Sequence, residues 1–337
     1  MMMLRSLLRE RWIAVVVLLL AANAAILLLS IMIGEFPIPA AEAWKSVFGL
    51  GDPAYHFVVN ELRFPRSLVA FLVGCGLALS GAILQGLTRN PLAAPGVVGI
   101  NGGAAAFAVT AIVVFPAMPI AWLPFTAFAG ALAAAALTYV LAWRRGSSPM
   151  RMLLVGIGIA ASTSAYITFW VTSRDIQSVK QAMLWLMGST YGRTWEHFWP
   201  LLPWLLVLYP ASLAMARRLD VLKLGDELAI GLGSAVERSR GLLLLICVSL
   251  SGAAVAMAGT IGFVGLMGPH IARQLVGESS ARLLTVSALA GGLIVMSADL
   301  LGRAIAPPIE VPAGIITAAI GAPYLIYLLY RNRKPAK

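Results

Sequence analysis

NPLAAPGVVGINGGAAAFAVTAIVVFPAMPIAWLPFTAFAGALAAAALTYVLAW, residues Asn90–Trp143, holds 54 residues without one Asp, Glu, Lys, Arg or His. A helix needs about 20 apolar residues to cross a bilayer. The run is long enough for two crossings, and FPAMPIAWLP at Phe115–Pro124 supplies the helix breakers that a turn between them requires.

Outward from this stretch the pattern repeats. Trp12–Gly34, Ser67–Thr88, Met152–Ser173, Phe198–Ala216, Gly241–Pro269 and Val311–Tyr330 are also free of charge and of histidine. Of the 337 residues 60% are hydrophobic and only 12% charged, with a mean hydropathy of +0.88; a soluble domain would need far more charge to cover its surface. Gly241–Pro269 is long for one span and short for two. Gly259, Gly262, Gly265 and Gly268 recur at every third position in its second half, which predicts a full helix to about Ala258, then a short, closely packed helix through Arg273. Leu283–Ala306 makes a further span, interrupted by Asp299 and Arg303. The chain thus reads as a single polytopic membrane domain over residues 1–337, all-α, with about ten transmembrane helices. The first span has a basic flank like a signal peptide, but its apolar run is long for one and IMIGEFPIP offers no small-x-small cleavage site; it is read as retained. Cys75 and Cys247 fall inside spans and give neither a disulfide framework nor a metal-ligand spacing.

Of the 25 Lys and Arg residues, 18 collect in alternate connections: Arg5, Arg9 and Arg11; Arg89; Arg144, Arg145 and Arg151; Arg217, Arg218, Lys223, Arg238 and Arg240; Arg273 and Arg282; Arg331, Arg333, Lys334 and Lys337. Lys45, Arg63, Arg66, Arg174, Lys180, Arg193 and Arg303 lie in the others. The positive-inside rule places the larger set, and both termini, in the cytoplasm, which requires an even number of spans. The net charge of +11 is then a topology signal spread over many loops, and no nucleic-acid partner is expected.

One cytoplasmic stretch stands apart. VLKLGDELAIGLGSAVERSRG, Val221–Gly241, carries Lys223, Asp226, Glu227, Glu237, Arg238 and Arg240 between two apolar spans. It reads as one or two short helices. Asp226 and Glu227 suit the positive end of a helix dipole. Leu224, Leu228 and Leu232 recur every fourth residue and form one apolar face, while Gly231 and Gly233 permit a sharp break. Such a face either lies on the chain's own membrane domain or on lipid, or docks a soluble partner.

Catalytic signals are missing. No Gly is followed by Lys, so there is no phosphate-binding G-x-x-x-x-G-K-[ST] loop; H-E-x-x-H and G-x-S-x-G are also absent, and His56, His197 and His270 are widely separated. His270, after Pro269 in GTIGFVGLMGPHIAR (Gly259–Arg273), reads as a structural hydrogen-bonder at a helix end. QGLTRNPLAAPGVVGINGGAA, Gln85–Ala106, joins two spans with helix-breaking Asn-Pro and Ala-Pro pairs. It is either a tight turn or a lining of a pathway, since irregular backbone at membrane depth is tolerated beside protein or water. On the outer side, Arg63 and Arg66 in ELRFPRS face outward and could meet carboxylates of an extracellular partner. Asp299 and Arg303 are spaced as an i,i+4 ion pair. Arg174–Trp199 predicts a short helix at the outer face, with Trp185, Trp195 and Trp199 as an interfacial belt or a lid.

Taken together, these residues resemble a known family, the permease subunits of type II ABC importers for iron–siderophores, haem and cobalamin. RFPRSLVAFLVGCGLALSGAILQGLTRNPLAAPGVVGINGGA resembles its first signature block, and GTIGFVGLMGPHIARQLVG, SADLLGRAI and VPAGIITAAIGAPYLIYLL resemble its C-terminal blocks. The resemblance implies ten helices, a path between two permease subunits (identical or related), two ATP-binding-cassette ATPases below and an extracellular or periplasmic substrate-binding protein above. It implies a bacterial cytoplasmic (inner) membrane location and no cofactor bound by this chain, with ATP and Mg used by the partner ATPase. The coupling segment falls at about 221–240, with Leu224, Gly225, Asp226, Glu227, Leu228, Ala229, Leu232 and Gly233 at its core. Docking arginines match Arg63, Arg66 and Arg303 by position, and Gln85, Asn90 and Pro91 fall near the path. WLMGSTYGRTWEHFW resembles the siderophore branch more than the cobalamin branch. Two other classes compete: an ion-gradient-driven secondary transporter, which needs intramembrane acidic residues and has Asp299 as its one candidate, and a non-transporting scaffold or receptor.

Overall fold

The helix at Phe64–Thr88 organises everything else. The computed structural model describes residues 2–34, 36–50, 52–144, 146 and 148–331; Arg145, Arg333, Lys334 and Lys337 lie outside them. All regular structure among the described residues is helical. In chain order the helices are α1 (Met2–Met32), α2 (Ala40–Val47), α3 (Pro53–Phe57), α4 (Phe64–Thr88), α5 (Ile100–Val109), α6 (Leu123–Ala142), α7 (Pro149–Thr172), α8 (Ile176–Leu186) and α9 (Trp195–Ala214). They continue with α10 (Ala216–Lys223), α11 (Asp226–Gly231), α12 (Val236–Ala258), α13 (Val264–Val276), α14 (Ser280–Ala304) and α15 (Ala313–Arg331).

Among the described residues six stretches are long and apolar enough to cross a membrane: Arg11–Met32, Pro53–Thr88, Ile120–Ala142, Pro149–Thr172, Val236–Ala258 and Ser280–Ala304. A seventh forms if α9 and α10, bent by 53°, are counted as one. Ile100–Val114 and Ala313–Leu328 are apolar but shorter, and α13 has only 13 residues. The expected ten spans therefore correspond to ten helices of unequal length, and ten is an approximate count of full crossings. As the glycine spacing predicted, α12 ends at Ala258. The backbone then unwinds through Gly259–Phe263, and α13 starts at Val264 and continues to Val276, three residues beyond the expected end.

Nearly nine-tenths of the apolar window in Pro53–Thr88 is buried (89%), against 11% for α7. Small residues let the neighbours of α4 approach this closely. A β-carbon at Gly74 would overlap the Gly291 carbonyl of α14, and one at Gly81 would overlap the Gly265 carbonyl of α13. Ser80 seals the contact with α12 by donating to the Cys247 carbonyl at 2.8 Å. Ahead of α4 the helix widens into a π-turn at Val58–Arg63, where the Phe64 amide bonds to the Val59 carbonyl. Pro65 follows immediately, and the widened turn accommodates a residue that would otherwise clash with the carbonyl four positions back.

The outer segment docks into the break between α12 and α13. Ser189 donates its amide to the Ala258 carbonyl at 2.7 Å, and the Gly314 amide of α15 donates to the Gly188 carbonyl at 2.9 Å. Trp185 is 8% exposed and packs in the core, which corrects its expected place in the interfacial belt. Anchoring falls instead to the neighbouring aromatics: Trp199 is exposed, and Trp195 donates to the Asn60 carbonyl at 2.7 Å.

Candidate functional site

Two polar ends of this domain carry the candidate chemistry. At the basic end the stretch singled out in the sequence, Val221–Gly241, holds the end of α10, all of α11 and the first turns of α12, with a corner made by Leu224 and Gly225 between α10 and α11. Gly225 has φ of +107°, a conformation that a side chain would strain. The helix α11 begins at Asp226 and is only six residues long. Leu224 therefore precedes it and Leu232 follows it, so the expected face is not one helical stripe. The turns on either side bring its members together regardless. Leu224, Leu228, Ile230 and Leu232 are all more than half exposed, while Ala229 is fully buried as the seat of the helix. The chain's own membrane domain does not cover this face.

Charges hold the corner in place. Asp226 accepts from Arg240 Nη2 at 2.7 Å and lies 3.9 Å from Arg89 Nη2. Arg240 is buried and also reaches Glu237 at 3.3 Å. Glu227 and Gly233 stay exposed. Arg89, Leu224, Gly225, Asp226, Glu227 and Leu228 together line an open depression. Ion pairs thus lie beneath an uncovered apolar rim, open to a protein partner.

Gln85 and Asn90 act locally in this conformation. Gln85 is buried, donates to the Gly265 carbonyl at 3.2 Å and accepts from Arg273 at 3.0 Å, stitching α4 to α13. Asn90 closes a turn by accepting the Leu92 amide at 2.9 Å. Pro91 is exposed, and with Leu92 it lines a groove against Phe263, Met267, His270 and Tyr324. His270 contacts Gln274 at 2.9 Å and sets its ring edge-on to Tyr324, which is a structural placement. Among the described residues no group of three or more His, Cys, Asp or Glu side chains could hold a metal ion.

The three outer arginines do not face outward, and this is the main correction to the sequence reading. Arg63, Arg66 and Arg303 are 7%, 8% and 6% exposed. The π-turn directs Arg63 to the carbonyls of Ile31, Met32 and Phe36, at 2.8, 3.2 and 2.7 Å. Arg66 grips Asp299 through Nε and Nη2, the latter at 2.7 Å, and reaches Glu310 with Nη1 at 2.8 Å. Arg303 pairs with Asp299 at 3.4 Å and donates to Ser30. Thr190 donates its hydroxyl to Asp299. A cation placed in a low-dielectric interior must be paired, and α1 with the loop that follows it, α14 and the loop before α15 supply the acceptors. The i,i+4 pair expected between Asp299 and Arg303 exists but is the longer of the two. Asp299 is surrounded by donors, and a proton added to it would leave Arg66 with Glu310 alone and take from buried Arg303 its paired carboxylate, which argues against a proton-carrying role.

Thr190, Ser30 and Glu310 were invisible to local sequence reading. The one available signal was Glu310, a lone acid between prolines in APPIEVP. The reading also passed over α7, whose exposed surface bears Ser162, Ser164, Tyr166, Thr168 and Thr172. Several of these hydroxyls bond back to the carbonyl four residues earlier, as Ser162 does to Gly158 at 2.9 Å.

Residues 19–331 match the FecCD transport family. The chain is 45% identical to the Fe(3+)-citrate import system permease protein YfmE of Bacillus subtilis (strain 168), over 93% of this chain and 94% of that protein. It is 41% identical to the iron(3+)-hydroxamate import system permease protein FhuG of the same organism, over 90% and 92%. Among solved structures it is similar to one described as an inward-facing metal-chelate type ABC transporter, with a TM-score of 0.86 and 29% identity over 94% of this chain and 99% of that one.

Proposed function

This chain belongs to the FecCD transport family, and from that premise we propose that it forms the membrane path of an ATP-driven importer of ferric siderophores in the bacterial inner membrane. The matched relatives are named for iron citrate and iron hydroxamate import, which supports a chelated ferric substrate over haem or cobalamin. The chain is a transport subunit and pairs with a second permease, identical or related. ATP and Mg belong to two separate ATPase subunits. The hydroxyl-bearing exposed side of α7 suits the face that meets the second permease and the path, with Gln85, Asn90 and Pro91 near its cytoplasmic end.

The observation that carries this reading is the uncovered group Leu224, Leu228, Ile230 and Leu232 over the fixed corner of Gly225 and Asp226. Fully burying a Leu or Ile side chain contributes about 1.5–3 kcal/mol, so this surface suits an ATPase groove, with Glu227 and Gly233 completing its outline and Ala229 seating it from beneath. The outer end suits a substrate-binding protein. Arg63 and Arg303 frame that end from within, and a partner carboxylate reaches Arg66 by taking the place of the partly exposed Glu310.

The test is co-purification with the ATPase encoded beside this chain. Leu224, Leu228 and Leu232 changed together to Ser should lose ATPase capture at least about ten-fold, one decade per 1.4 kcal/mol, while membrane insertion stays equal. Undiminished capture would move the coupling surface elsewhere.

A further inference from the structure

The coupling corner is tied to the membrane domain at a third point, one that none of the proposed ATPase contacts uses. On α10, Asp220 turns toward the start of α14 rather than toward the partner surface. Its Oδ1 accepts the Ser280 amide at 3.1 Å and the Ser280 hydroxyl at 2.6 Å, and Oδ2 lies 3.4 Å from the same amide. Lys223, one turn along, donates to Asp220 at 3.1 Å and to the Glu278 carbonyl at 2.8 Å. The first amides of a helix have no partner within it and form its positive end. Here Ser279, the residue in the capping position, makes no side-chain cap bond. The carboxylate that satisfies the start of α14 comes instead from the coupling segment, about 60 residues away in sequence. Ser280 is fully buried beneath Asp220.

The far end of the same helix carries Asp299 and Arg303, which bind Arg66, Thr190 and Ser30. No proline interrupts its 25 residues, which at 1.5 Å per residue span about 37 Å. Near mid-length Gly291 is held tightly against Gly74 of α4. A close-packed rod held at its middle passes a displacement of one end to the other as a tilt.

We infer that Asp220 is a positioning residue through which α10 grips the start of α14, so that α14 carries ATPase-driven movement to the ionic cluster at the outer end. This rests on the importer reading above. It adds to that reading a specific link, and it separates two properties, holding the ATPase and using it.

The experiment uses the complete importer (this chain, its permease partner, the ATPase and the binding protein) in proteoliposomes. Asp220→Ala, Ser280→Ala and the double variant are compared with wild type for ATPase capture and for chelate imported per ATP hydrolysed. Asp220→Ala should retain the ATPase yet import about ten-fold less per ATP, within the usual range of coupling between sites. Ser280→Ala should shift in the same direction by less. The double variant should be no worse than Asp220→Ala, because both single changes remove one shared contact. Import per ATP within two-fold of wild type in Asp220→Ala overturns the link, as does a double variant whose losses simply add. Loss of the ATPase from Asp220→Ala would overturn it too, making Asp220 part of the docking surface. If Asp220→Ala does not insert, Ser280→Ala decides alone by the same ratio. The importer reading fails separately, if wild type captures no ATPase.

Discussion

At the residue scale, the outer arginines show how far neighbouring sequence can be read. Three arginines at the outer ends of spans are unusual, and their positions alone single them out. Whether they face out or in depends on acceptors far away along the chain: Arg66 meets Asp299 across 233 positions, and Arg303 meets Ser30 across 273. Only packing brings those together. The cluster sets a definite expectation. Glu310, 29% exposed at its side chain, is the one carboxylate on Arg66 near the surface. Glu310→Ala should free Arg66 Nη1 and tighten docking of the binding protein several-fold, measured by surface binding to the purified permease complex. Arg66→Met should weaken docking and also destabilise the chain, by about 3–5 kcal/mol if Asp299 stays ionised without its closest partner. Tighter binding in Arg66→Met would reverse these roles.

At the element scale, contacts at glycine set the spacing of the buried helices. The sequence shows where small residues collect, at Ser80–Gly81, Gly156–Gly158 and Gly252–Gly259; Gly81 and Gly252 pack closely on neighbouring helices, while Gly158 has nothing within 4 Å. It does not show which surface meets which, because many glycines could pair. Gly74 meets Gly291 and Gly81 meets Gly265 at separations with no room for a methyl group. Gly81→Ala should therefore destabilise by about 1–3 kcal/mol, the usual effect of overpacking. Gly158→Ala on α7, where a methyl group meets nothing within 4 Å, should be neutral or stabilising. Thermal unfolding in detergent separates the two, and equal melting points would mean that the α4–α13 contact is looser than described. The short elements were harder to place from sequence. The six-residue α11 is below the length at which periodicity is informative, so its leucines read as one stripe although turns carry two of them. Trp185 read as interfacial because tryptophan often is, but the segment after α8 enters the break between α12 and α13 and draws Trp185 into the core.

At the scale of the whole molecule, the membrane character and the break after Ala258 were legible, because uncharged length depends on the bilayer and not on folding partners. The short helices at Ile100–Val114 and Ala313–Leu328 were not, since an uncharged run does not show where within it a helix starts and stops. The resulting molecule has an uncovered apolar rim on the cytoplasmic side, a buried ionic cluster on the outer side and α14 running between them. The account stands on the claim that ATP drives a ferric chelate through this chain. The direct measurement is uptake of a radiolabelled ferric siderophore into proteoliposomes holding the assembled complex, with the binding protein on the side of substrate entry and ATP on the other. Accumulation that needs hydrolysable ATP and persists when ion gradients are collapsed is the predicted result. Accumulation that follows a proton or sodium gradient without ATP would contradict it.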